Sequence, residues 1–163
     1  MEEPVVRTAP YPAPSSKVLG TVNGIPTEVE VISFTDKIMV LISQGGRLAQ
    51  WIEVPLSAPS AASVDAALPA GLRGSSGPDL LPSTHLTPKT LFGAGGQARE
   101  TFGQLVAAQV GSLLALRDAT DSRTVVVGLG LEPDQDVGQG GGGDSSQAQA
   151  IYFDIVELVQ KVL

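Results

Sequence analysis

Four β-strand signals follow one another between residues 17 and 55, KVLGTVNGIPTEVEVISFTDKIMVLISQGGRLAQWIEVP, and they commit the chain to a fold built on a sheet. Asn23-Gly24, Thr35-Asp36 and Gly45-Gly46 separate runs rich in Val, Ile and Thr, and Asn-Gly or Gly-Gly supplies the positive φ that tight hairpins require. The expected product is an antiparallel meander. A two-residue turn at Thr35-Asp36 sets Ser33 opposite Ile38, Val31 opposite Val40 and Val29 opposite Ile42, and a Gly45-Gly46 hairpin adds Ala49 and Trp51 to that face. The other face carries Ile32, Phe34, Met39, Leu41, Leu48 and Ile52, diluted by Glu28, Glu30 and Gln50. A sheet with a single buried face alternates more cleanly. Both faces therefore need a cover, one from the chain's own helices and the second from another helix or another protein.

The rest of the chain supplies two helices and more strand. Residues 85–92, HLTPKTLF, form a candidate fifth strand weakened by Pro88. From Gln97 to Arg117, Phe102, Leu105, Val106, Val110, Leu113 and Leu114 recur at helical spacing. Residues 124–131, TVVVGLGL, are continuously apolar, as in a central strand. In the last segment Ile151, Ile155, Leu158, Val159 and Val162 share one helical face, with an N-cap available at Asp144, Ser145 and Ser146. The order β-β-β-β-(β)-α-β-α describes an α+β fold, an antiparallel β-meander sheet with two amphipathic helices. Residues 1–16 read as a Pro-rich flexible tail, and residues 17–163 as one domain with flexible loops at 57–83 and 133–146.

The chemistry-bearing residues are few. A net charge of −7 with no Lys/Arg cluster leaves nucleic acid without the basic stripe it needs. With no cysteine there is no thiolate nucleophile, disulfide or thiolate metal site. No run approaches the roughly 18 apolar residues of a membrane span, and the acidic, Pro-rich start is unlike a secretory signal. The expectation is a cytosolic or nuclear protein.

His85 is the only histidine, and Ser75-Ser76 lacks the strand-turn-helix setting of a nucleophile. Gly128-Leu129-Gly130 and the glycines at 140–143 lack the partners of a phosphate loop. Asp134, Asp136 and Asp144 lack the spacing of a calcium loop. No catalytic, cofactor-binding or metal-binding residue is assigned, and the expectation is a protein that binds another protein, not an enzyme. A small hydrolase would need His85 or a loop serine in a cleft.

The block GTVNGIPTEVEVISFTDKIMVLISQGGRL resembles the opening meander of the proteasome assembly chaperone 3 family, including its Gly-Ile-Pro-Thr turn and the strand KIMVLIS. PKTLFG, the helix containing TFGQLVAAQVGSL, the strand TVVVGLGL and the closing IYFDIVELVQKVL occur in that family's order. The tail, the 57–83 loop and the 133–146 linker look like insertions relative to shorter members. The resemblance implies a non-enzymatic chaperone that pairs with a related small protein, assembly chaperone 4, through packed sheets. The pair is expected to hold an alpha-type subunit of the 20S core particle and to promote alpha-ring formation. On this reading Ile32, Phe34, Met39, Leu41 and Ile52 form the interface between the two chaperones, while Val29, Val31, Ile38, Val40, Ile42 and Trp51 face the helices. The alternative is a protein-protein adaptor or scaffold domain unrelated to the proteasome, which would share the acidic, cysteine-free, two-faced sheet.

Overall fold

The computed structural model describes residues 13–57, 86–93, 95–132 and 145–163. In chain order the described elements are β1 (Ser15–Val22), β2 (Ile25–Ser33), β3 (Lys37–Ser43), β4 (Gln50–Pro55), β5 (Lys89–Phe92), α1 (Gln97–Arg117), β6 (Thr124–Gly130) and α2 (Ser145–Val162). Ser15 and Ser16, assigned to the tail, are the first residues of β1. The remainder of the tail to residue 12, the 58–85 stretch with His85, and residues 133–144 lie outside the described residues.

The strands form one six-stranded sheet in the order β1-β2-β3-β6-β4-β5. The first three are the expected meander. Asn23 and Gly24 take φ of 48° and 79°, positive at both central positions as a type I′ hairpin turn requires. Ser33 pairs with Ile38, Val31 with Val40 and Val29 with Ile42, the predicted register.

Beyond β3 the meander expectation is corrected, because the sheet is mixed. Strand β6 inserts between β3 and β4, parallel to the first and antiparallel to the second. Gly45 and Gly46 do turn the chain, with positive φ at both and an Arg47 N–H to Gln44 carbonyl bond of 3.2 Å. The residues after them nevertheless cross the end of β6 instead of returning beside β3. Gly130 permits the crossing, since a Cβ there would collide with the Arg47 backbone. On either side of it, Gln44 donates its backbone N–H to the Gly130 carbonyl at 2.9 Å and Ala49 to that of Leu129 at 3.0 Å.

This insertion resets which face each β4 residue occupies, since laterally paired residues share a face. Ile52 pairs with Val127 and Val54 with Val125, whose β3 partners are Val40 and Ile38. Ile52 therefore belongs to the face of Val29, Val31 and Ile42, whereas Trp51 belongs to the opposite one. Both assignments invert the expectation from the sequence, and Ala49 is exposed instead of facing the helices.

Strand β5, antiparallel to β4, runs parallel to β6, so β5-α1-β6 is a crossover unit that spans β4. Helix α1 packs on β4, β5 and β6, and α2 on β1, β2 and α1. Glycines set the close approaches. Beta carbons at Gly103 and Gly111 of α1 would press on Gln50 and on Val54 and Leu86 respectively, and one at Gly20 of β1 would meet Leu158 of α2. The core is this single interlayer, with Val29, Val40, Ile42, Ile52, Val54, Val106, Val125, Val127, Ile155 and Val159 at 2% exposure or less.

Two polar fixtures hold the sheet's ends. Gln44, fully buried, donates from Nε2 to Thr27 Oγ1 at 3.1 Å and accepts the Glu132 backbone N–H on Oε1 at 2.7 Å. It thereby joins the ends of β2, β3 and β6. Replacing it by Leu strands these groups in a dry site, which costs about 1–3 kcal/mol; chemical denaturation of Gln44→Leu should show that loss. At the opposite end Arg123 grips Asp121 through Nε and Nη2 and donates from Nη1 to the Phe34 carbonyl. These bonds hold the Asp121 carboxyl below its ordinary 3.8. Because the folded value is lowered, the stabilisation is present above the ordinary value and is lost as pH falls through the folded one. The stability gap between wild type and Asp121→Asn should shrink in acid below that point.

Candidate docking face on the second side of the sheet

Both described helices lie on one side of the sheet, and no described helix packs on the other. Among the described residues, the strand register therefore leaves one face, the open face, without a helix over it. Across its middle run Ile32 of β2, its β3 partner Met39, Leu41, Val126 of β6 and Trp51 of β4. Met39, Leu41, Val126 and Trp51 are half-buried, and Ile32 falls to 8% exposure. Gly128 organises the centre, because a Cβ there would stand 3.1 Å from both Leu41 Cδ2 and Trp51 Cζ3. The indole and the leucine thus close over a glycine slot in the middle strand.

Charges occupy the flanks. On the β1–β2 side Lys17 Nζ meets Glu28 Oε1 at 2.8 Å, and the bond raises the lysine's pKa, helped by Glu28 and Glu30 charge. On the β4–β5 side Lys89 Nζ lies 3.5 Å from Glu53 Oε1. Leu19 at 72% exposure and Phe92 at 73% extend apolar surface to the two edges. An apolar middle inside a polar border is the anatomy of a protein-protein interface.

The fold divides the residues singled out from the sequence. Ile32, Met39 and Leu41 share the open face, and half-buried Phe34 lies just past the end of β2 with its carbonyl bonded to Arg123. Ile52 leaves the set: it is fully buried beneath the helices. Trp51 and Val126 join it. The continuously apolar run of β6 marks it as a central strand, as read from the sequence, but nothing in that run says that its neighbours are β3 and β4.

A cavity of about 430 Å³ lies at the C-terminal ends of α1 and α2, floored by Val31, Ile38 and Leu114 with Asp118, Asp121, Arg117 and Arg123 around it. Arg123 is engaged by Asp121 and Phe34, and the Asp118 carboxylate by Thr120. These groups are fixtures of the α1–β6 connection and present no nucleophile-base pair. Among the described residues no cluster of His, Asp and Glu could hold a metal ion, and no helix is long and apolar enough to cross a membrane. The glycines of the GLG segment lie within or at the end of β6, where they admit Trp51 and the Arg47 backbone.

No family model and no curated protein matches the sequence. The fold does have a match among solved structures. A chain from a chaperone complex for yeast 20S proteasome assembly superimposes with a TM-score of 0.54 at 12% identity, over 91% of this chain and 97% of that one. The two chains share a fold with little sequence in common.

The two faces predict opposite responses to substitution. Ile52→Ala opens a cavity in the core and should lower stability by about 2–5 kcal/mol. Leu41→Asp places its carboxylate at the solvent side of the sheet and should leave a cooperatively folding protein. Circular dichroism melts of the two variants measure both effects, and a Leu41→Asp chain that fails to fold would contradict an open face.

Proposed function

We propose that this chain is a non-enzymatic chaperone of 20S proteasome assembly, which pairs through its open sheet face with a related small chaperone. The pair binds an alpha-type subunit, promotes formation of the alpha ring and then departs; it works in the cytosol or nucleus. The observation that carries the reading is a two-layer fold, shared with a chain of a proteasome-assembly chaperone complex, in which no described element covers the second side of the sheet. Packing a second sheet on the apolar middle would complete a buried layer of the ordinary sandwich kind.

Physical arguments support pairing by that face over other routes. Exposed apolar residues on the helices, such as Leu116 at 68% and Phe153 at 39%, are scattered, and single exposed apolar side chains are ordinary. The open face instead gathers Met39, Leu41, Val126 and Trp51 on adjacent strands. Burying a patch of this kind stabilises a complex by about 25 cal/mol per Å² of apolar area before the cost of association is subtracted.

Affinity purification of the tagged chain from its native cells, with mass spectrometry of the companions, tests the proposal. The expected companions are one related small chaperone and alpha-type subunits, with the finished proteolytic particle well below them in amount. Leu41→Asp should lose the small chaperone while staying soluble. A different stoichiometric partner, with no proteasome subunit, would overturn the assembly role and favour an adaptor.

A further inference from the structure

The β1–β2 turn joins three features that bear on its chemistry. Asn23 is the only asparagine of the chain, it is exposed, and it is the one non-glycine residue with positive φ among the described residues. The next residue is Gly24, and apart from its own chain neighbours no atom lies within 4 Å of where its Cβ would stand. Glycine thus brings no side chain of its own to shield its amide nitrogen, and Gly24 is exposed. Finally, the turn is fastened to α2, because the Asn23 backbone N–H donates to Asp154 Oδ2 at 2.8 Å.

We infer that Asn23 is a site of spontaneous deamidation whose products loosen the fastening between the β1–β2 hairpin and α2. In the first step the Gly24 amide nitrogen, having lost its proton to base, attacks Asn23 Cγ. A C–N bond closes a five-membered imide, and the side-chain nitrogen leaves as ammonia. Water then opens the imide at either carbonyl, giving aspartate or isoaspartate. One water is consumed and one ammonia released in all, without change of oxidation state.

The consequences depend on the neighbours. Either product sets a carboxylate beside the Asp154 carboxylate that holds the turn, and like charges at short range repel. Aspartate keeps the left-handed backbone that Asn and Asp both tolerate. Isoaspartate routes the main chain through an extra carbon, so the two-residue turn loses its geometry. Asp154 lies one turn before Leu158, which packs over Gly20 of β1, so the disturbance falls where α2 meets the sheet. The group that fastens Asn23 to the packed helix is the Asp154 carboxylate.

Incubation of the folded full chain in mildly alkaline buffer at body temperature, followed by peptide mapping that resolves aspartate from isoaspartate, tests the site. A parallel sample in denaturant sets the intrinsic rate. The inference expects progressive conversion at residue 23 in the folded chain, with isoaspartate among the products, and faster conversion in Asp154→Ala. No conversion in the folded chain while the denatured sample converts completely would overturn the site. For the consequence, Asn23→Asp should lower the thermal midpoint at neutral pH, and adding Asp154→Asn should remove most of that drop. A drop that is absent, or is unchanged by Asp154→Asn, would overturn the loosening.

Discussion

The structure depends on one strand pairing, the insertion of β6 between β3 and β4. With β6 parallel to β3 and separated by β4 from β5, to which it is also parallel, the chain between β5 and β6 must leave the sheet and return across one face, and α1 is that return. Helix α2 then comes after the end of β6 and settles over β1 and β2. Each helix covers the strands the other leaves bare, and both do so on the same side. The open face is the remainder of this arithmetic: two helices fill one layer, and no described element fills the other. The same pairing decides that Trp51 looks outward and Ile52 inward, a result that no local feature of β4 could deliver.

Local elements were legible from the residues, and their order in the sheet was not. Turn chemistry placed β1, β2 and β3 in their register because Asn23-Gly24 and Thr35-Asp36 connect strands that are also neighbours in space. Apolar spacing placed α1 at its observed bounds and the buried stripe of α2. Gly45-Gly46 misled because a positive-φ turn fixes the local backbone but says nothing about which strand lies beside the next one. The interface set of five therefore carried three residues of the open face, Ile32, Met39 and Leu41, with Phe34 just past the end of β2 and one core residue, Ile52. The face was visible as a surplus of apolar residues, but its membership depended on long-range pairing.

The likeness to a chain of a yeast assembly chaperone complex at 12% identity has a physical basis in what such a fold requires. A two-layer α+β domain needs an apolar interlayer, small residues where helices approach strands, and turns that permit the crossings. Many sequences meet those terms, as Gly20, Gly103, Gly111 and Gly130 do here by admitting Leu158, Gln50, Val54 and the Arg47 backbone. In the proposed pair, the open face adds a further demand. Its middle must stay apolar although it meets water in the isolated chain, while paired charges such as Lys17–Glu28 keep the flanks hydrated and discourage indiscriminate association.

The chain's single tryptophan, Trp51, sits in the middle of that face, which makes its fluorescence a direct reporter. The decisive measurement is collisional quenching of Trp51 by a neutral solute, before and after addition of the proposed partner, a related small chaperone. Docking on the open face predicts a blue-shifted emission and a strong fall in quenching on complex formation, both lost with Leu41→Asp. A complex that forms at full stoichiometry while Trp51 stays as quenchable as in the isolated chain would place the partner elsewhere and contradict the account.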